Sequence, residues 1–148
     1  MKFHQRQGRP HQAEACFEAA LEPACAGPHP PVPVLYNTVV NLAVSRFQQG
    51  RFDEAASFYD AAEKLATIQR DPRAKLQAIE KLGDAQALQG KQEDAVANWR
   101  HGAEIGGKLE IPEMQASMLT RLRDHFAATD RWLEQQEVEN QLAVLRMG

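Results

Sequence analysis

The sequence predicts an all-α fold, an α-solenoid of stacked antiparallel helix pairs. One internal echo carries most of that prediction: Gly50-Arg51-Phe52-Asp53-Glu54-Ala55-Ala56 returns 40 residues later as Gly90-Lys91-Gln92-Glu93-Asp94-Ala95-Val96. A second observation is that apolar residues around these echoes recur at steps of three and four, which marks one face of a helix. A third is that Pro33, Pro72 and Pro112, spaced by 39 and 40, stand where the first helix of each unit begins. Proline's fixed φ suits the first helical turn, and its missing N–H costs nothing there. A period of this length is one supersecondary unit that buries its apolar face only by stacking on its neighbours.

The single domain 1–148 divides accordingly. Residues 1–26 read as a partial N-terminal repeat, in which Gly8-Arg9-Pro10-His11-Gln12-Ala13-Glu14 precedes Phe17 and Ala20 in the order of the later copies. Residues 1–7 leave little room for a helix before Gly8, so a neighbouring chain or an earlier part of a longer array is expected to complete this unit. Residues 27–33 form a connection: five prolines in the eleven residues from Pro23 to Pro33 exclude helix. With no flanking basic residues, this stretch reads as a stiff linker rather than a polyproline recognition segment.

Residues 34–70 are the first full repeat. Its first helix, Val34 to Gln49, carries the stripe Val39, Leu42, Ala43 and Phe47, and its second, Phe52 to Thr67, carries Phe52, Ala55, Ala56, Tyr59, Ala62 and Leu65. Gly50 between them accepts the left-handed conformation that ends a helix, and the acids after it favour the positive end of the next helix dipole. Residues 71–109 repeat the arrangement, with Asp71 as a cap before Pro72 and Gly90 at the turn. Residues 110–148 are a degenerate, capping repeat. Asp130-Arg131-Trp132-Leu133-Glu134-Gln135 keeps the basic, bulky and acidic order, but Arg123, Gln135 and Leu142 stand where the other units are small, and only Leu119, Leu122 and Phe126 hold the apolar rhythm.

These positions resemble the tetratricopeptide repeat (TPR) family in its longer-period variety, about 40 residues instead of the common 34. With the turn glycine as fifteenth residue, units start at Tyr36, Leu76 and Ala116. The small and bulky positions of the pattern then fall on Leu42, Ala43, Gly50, Phe52, Ala55, Tyr59 and Ala62, and on Leu82, Gly83, Gly90, Ala95, Trp99 and Gly102. The resemblance implies a right-handed superhelix in which small residues let helices approach closely while Tyr59 and Trp99 fill the space between units. It also implies that Trp132, the counterpart of Phe52, packs inward.

Charge and composition narrow the function. The 148 residues carry 17 Lys+Arg against 20 Asp+Glu, a net charge of −3, so no basic excess is present to neutralise nucleic-acid phosphates or to hold an anionic membrane surface. No long apolar run and no signal-peptide core are recognisable, and a cytoplasmic location is expected. Cys16 and Cys25 read as free thiols, and His4, His11, His29, His101 and His125 show no metal-ligand spacing, so neither metal nor cofactor is expected.

Gly102-Ala103-Glu104-Ile105-Gly106-Gly107-Lys108-Leu109 has the glycine and lysine spacing of a phosphate loop, but Leu109 replaces the required hydroxyl and Gly106-Gly107 are read as ending a helix. The acids Asp53-Glu54, Glu93-Asp94 and Glu137/Glu139 sit at helix starts or on polar faces, and Ser45, Ser57 and Ser117 lack nucleophile-elbow glycines. A non-catalytic chain is therefore expected.

By the resemblance, the first helix of each unit lines a concave groove. The lining positions are Asn37, Val40, Val44, Phe47 and Gln48, then Gln77, Glu80, Asp84, Ala87 and Leu88, then Ser117, Thr120, Asp124, Ala127 and Ala128. The expected partner is a protein or peptide with an apolar anchor and basic residues, met by Glu80, Asp84 and Asp124. Where some TPR domains clamp a C-terminal carboxylate with Lys, Asn and Arg, this chain has Val40 and Val44, with only Arg121 plausibly placed. Two alternatives are self-association into a homodimer, through the incomplete first unit or a last helix carrying Leu142, Val144, Leu145 and Met147, and a ligand-sensing regulatory segment.

Overall fold

The structure, a computed structural model, describes residues 31–147. The partial repeat 1–26, with Cys16 and Cys25, lies outside them, as does most of the proline-rich connection. The described chain is six helices: α1 (Val32–Gln48), α2 (Phe52–Gln69), α3 (Pro72–Leu88), α4 (Gln92–Lys108), α5 (Pro112–Ala128) and α6 (Trp132–Met147). Odd-numbered helices start at 32, 72 and 112, and even-numbered ones at 52, 92 and 132, so the 40-residue period is kept to the residue. No strand occurs among the described residues.

Half of that period is also a structural unit. Left-handed residues stand at Gly50 (φ 78°), Arg70 (58°), Gly90 (86°), Glu110 (57°) and Asp130 (58°), one every twenty residues. After each, the next N–H reaches back five residues: Arg51 to Arg46 O, Asp71 to Ala66 O, Lys91 to Gln86 O, Ile111 to Gly106 O and Arg131 to Phe126 O, all at 2.8–3.0 Å. This bond satisfies a carbonyl that the helix end would leave unpaired and turns the chain back in two or three residues. Arg70 and Glu110 adopt the conformation without glycine's freedom. Helix starts are less uniform: Asp71 Oδ1 accepts from Ala74 N at 3.1 Å as a side-chain cap, while Arg51 reaches across the first turn of α2 to Glu54 at 2.8 Å.

The chain divides into two compact units between Lys75 and Leu76. In the first, α1 contributes Leu35, Val39, Leu42 and Ala43 to the core, and α2 contributes Ala55, Ala56, Phe58, Tyr59, Ala61, Ala62, Leu65 and Ala66. Alanines on the packed face are what short interaxial distances require. The Phe47 and Phe52 rings meet edge-on across the turn at 5.1 Å. In the second unit Leu76 and Ile79 of α3, Val96 and Trp99 of α4, Met118, Leu122 and Phe126 of α5, and Val138 and Leu142 of α6 form one cluster. Within it the first helices lie side by side, with Arg121 of α5 on Asp84 of α3, and so do the second helices, with Arg100 of α4 on Glu134 of α6.

Four expectations are corrected. First, α1 begins at Val32, inside the stretch read as connection, because Pro31 and Pro33 both fit a helix start. Second, Gly106 and Gly107 do not end α4, which runs on to Lys108; a Cβ on Gly106 would sit 3.2 Å from the Gln115 backbone nitrogen, so the glycine admits a close crossing with α5. The phosphate-loop spacing thus lies on continuous helix.

Third, Trp132 is 69% exposed instead of packed, since α6 turns Val138 and Leu142 inward. Fourth, Leu142 is consequently core and unavailable to a second chain.

Candidate functional site

On the first unit, the α1 positions singled out for the groove form one face. Asn37 and Val44 are exposed and Val40 and Phe47 half-buried, with Gln48 exposed beyond them. They alternate with the buried Leu35, Val39, Leu42 and Ala43, as a helix with one face packed demands. The Phe47 ring is partly engaged with Phe52.

On the second unit, α3 and α5 together present Gln77 and Leu88, both exposed, and Glu80, Asp84, Ser117 and Thr120, all half-buried, with Asp124 exposed at one side. Ala87 is half-buried, while Ala127 and Ala128 are exposed.

A polar network organises this second face. The Arg121 guanidinium grips Asp84 with both arms, Nε to Oδ1 at 2.7 Å and Nη2 to Oδ2 at 3.1 Å, and its Nη1 lies 2.8 Å from Glu80 Oε2. The same Nη1 donates to Ser117 Oγ at 2.8 Å, and the Ser117 hydroxyl donates to Glu80 Oε2. Burial works against the Arg121 charge, but the bond to Asp84 and the nearby Asp84, Glu80 and Asp124 carboxylates outweigh it and hold the guanidinium above its usual range. Thr120 Oγ1 is turned back to Ala116 O at 2.8 Å, and Asp124 Oδ1 accepts from Arg123 at 3.2 Å.

All three groove carboxylates are therefore paired within the unit, Glu80 and Asp84 with Arg121 and the more exposed Asp124 with Arg123. Arg121, the one residue left at a plausible place for a carboxylate clamp, is itself committed to Asp84 and Glu80. Sequence reasoning missed this pairing because its partners lie 37 residues apart, yet a signal existed. Tyr36 to Ala74 O, Ser117 to Glu80, Arg121 to Asp84 and Arg131 to Glu93 all span 37 or 38 residues. Helices one period apart touch at the period less about one helical turn, so opposite charges at that spacing are candidates for pairing.

Elsewhere in the second unit, Trp99 is buried, donates Nε1–H to Glu80 O at 3.3 Å, and lies edge-on to His125 at 6.4 Å. It is held on both sides as core and offers no stacking platform. A groove of about 540 Å³ runs among α4, α5 and α6, bounded by Arg100, Ala103, Leu119, Glu137, Val144 and Leu145 among others.

What this arrangement supplies chemically is a rigid, hydrogen-bonded surface of mixed polarity on paired helices. Among the described residues no helix is long and apolar enough to cross a membrane. The class is an all-α helical-hairpin repeat. Residues 38–61, from the middle of α1 to the middle of α2, match the tetratricopeptide repeat family model. The match and the six consecutive helices of about 17 residues are consistent with a repeat of the tetratricopeptide type. This family is of scaffold type and generally serves protein–protein interaction. No curated protein matches the chain significantly.

Proposed function

We propose that the chain is a non-catalytic scaffold that binds a peptide or helical segment of another protein on the faces presented by its first helices. The observation that carries the reading is the α3/α5 network. Arg121, Glu80, Asp84 and Ser117 lock one another in place beside the exposed Gln77, Leu88 and Asp124, so a partner meets side chains whose ordering cost has been met in folding. Asn37, Val40, Val44 and Phe47 offer a second, more apolar face on α1. Support for basic residues in the partner is confined to the charge balance of the α3/α5 cluster. Glu80, Asp84 and Asp124 stand against Arg121 and Arg123; Arg123 balances Asp124, so the one net negative charge lies with Glu80 and Asp84, which share Arg121.

Panning a random peptide library on the full chain tests the proposal. Recovered peptides are expected to share an apolar anchor and Lys or Arg. Their affinity should fall about tenfold for Asp124→Lys or Gln77→Arg, with salt dependence reduced more by Asp124→Lys, which removes a negative charge and adds a positive one, than by Gln77→Arg, which only adds one. Peptides bound equally well by both variants would place recognition elsewhere.

A further inference from the structure

We propose that the groove among α4, α5 and α6 is a docking site for a basic, amphipathic helix of another protein, separate from the α3/α5 face. Its floor is apolar, formed by Ala103 of α4, Leu119 and Leu122 of α5 and Val138 of α6, and Val144 stands exposed on the α6 bank. Positions 119 and 122 lie about half a turn round α5 from 117 and 120. The groove is thus on the other side of α5 from Ser117 and Thr120, and the proposal does not rest on their face.

The openness of the groove belongs to the repeat. Its α6 bank, Glu137, Gln141 and Val144, stands 40 residues after Ala97, His101 and Glu104 of α4. Those three stay exposed although α5 and α6 follow and pack in the same cluster. By the same register, a hairpin stacked on α6 meets other positions of that helix, such as Arg146, whose α4 counterpart Gly106 is buried against α5, and leaves this bank open.

Charge identifies the occupant. At one end of the groove Arg100 bonds Glu134 at 3.2 Å, and Arg131 bonds Glu134 and reaches Glu93 at 3.4 Å, so two arginines balance two acids. About one turn beyond that bridge come Glu104 on the α4 bank and Glu137 on the α6 bank, both exposed and neither bonded to another side chain among the described residues. An apolar floor with an unbalanced carboxylate on each bank suits an apolar ridge flanked on both sides by Lys or Arg.

The backbone selects a helix. Both banks and the floor are α-helices whose N–H and C=O groups are bonded internally, so the groove has no edge with which an extended peptide could pair. A helical ligand satisfies its own backbone and needs only side-chain contacts. From Glu137 to Leu145 the α6 bank advances about 12 Å, roughly two turns. Ligand side chains at i, i+3 or i+4, and i+7 cover that length.

Calorimetric titration tests this on the full chain carrying Asp124→Lys, which weakens the α3/α5 face, so the two readings fail separately. The probe is a synthetic peptide of about 18 residues with Leu along one helical face and Lys on both flanks. It should bind and gain helical circular dichroism, while a counterpart flanked by Glu should not bind. Glu104→Gln/Glu137→Gln should weaken the Lys-flanked peptide about tenfold. Val144→Glu should weaken it too, although it adds negative charge, because that side chain meets the apolar ridge. All three positions are exposed, so the fold is retained. No binding at about 1 mM peptide, equal binding of the Glu-flanked peptide, indifference to Glu104→Gln/Glu137→Gln, or tighter binding by Val144→Glu, the mark of mere attraction to an acidic surface, would each overturn the proposal.

Discussion

The first two hairpins solve one packing problem with different side chains. Among the buried residues of α1 and α2 are the small Ala43, Ala55, Ala62 and Ala66 and the aromatic Tyr59. Forty residues on, in α3 and α4, they are Gly83, Ala95, Gly102 and Gly106, with Trp99 as the aromatic. Where the ring grows, the residue against it, Gly83 in place of Ala43, shrinks. A Cβ on Gly83 would overlap the Trp99 indole, and one on Gly102 would lie 2.6 Å from Met118 Cε. The comparison teaches that what repeats is summed volume and helix spacing, while the residues that supply them vary.

The largest expected effect tests that trade. Trp99→Ala should cost about 3–5 kcal/mol in urea unfolding, and Gly83→Ala about 1–3 kcal/mol, because the methyl group forces the buried indole aside. Gly83→Ala/Trp99→Tyr, which imports the pair found in the first hairpin, should be markedly less destabilised than the sum of its single variants. Strict additivity would break the comparison.

The turns should behave alike in both hairpins. No atom lies within 4 Å of a Cβ built on Gly50 or Gly90, so alanine at either meets only its own backbone preference. Each substitution should lower stability by about 1 kcal/mol, and by similar amounts. Glu110→Gly and Arg70→Gly relieve the same strain at the intervening turns but loosen the unfolded chain, and should raise stability by up to about 1 kcal/mol. Thermal melts read both, and unequal losses at Gly50 and Gly90 would show that the turns are not equivalent.

The smallest effect lies at the last turn, where Arg131 donates to both Glu134 oxygens at 2.6 and 2.7 Å and stacks over Phe126 at 4.9 Å, with Arg100 on the same ring at 5.3 Å. The Arg131 hydrogen bond, ahead of the opposing desolvation and of the further Arg131 and Arg100 attraction, lowers the Glu134 pKa. The contribution of a carboxylate lowered in this way is present above its unfolded value, about pH 4.3, and fades as pH falls through the folded one. A carbon-detected NMR titration should find the Glu134 midpoint below that of a free glutamate, and Arg131→Gln should move it back up.

Much of the fold was legible because a helical repeat writes itself locally. Gly50, Gly90, Pro72, Pro112 and Asp71 act on their own turn, and their chemistry fixes helix ends whatever the rest of the chain does. Arg70 and Glu110 were not legible as turn residues, since neither favours a left-handed backbone; the hydrogen bonds closing the turns, with the next helix packing back, hold them there. Gly106 was misread for the converse reason: glycine near a helix end suggests termination, and only the crossing with Gln115 explains its continuation.

Of the candidate site, the face of each helix followed from periodicity, but the charge state of the α3/α5 face did not. Glu80 and Asp84 look like free acids until Arg121, on another helix, is placed beside them. Trp132 was misassigned because its repeat position belongs to a packed residue, whereas α6 buries Val138 and Leu142 instead.

The twenty-residue rhythm of left-handed turns also restricts how such a gene can change length. Inserting one residue inside any of the six helices rotates everything beyond it by about 100° relative to what precedes it, exposing alanine ridges and burying charge. Duplicating a forty-residue stretch instead keeps every ridge facing its groove and renews the lateral pairings at their original reach. Growth in whole hairpins is thus the path of least disruption for this architecture.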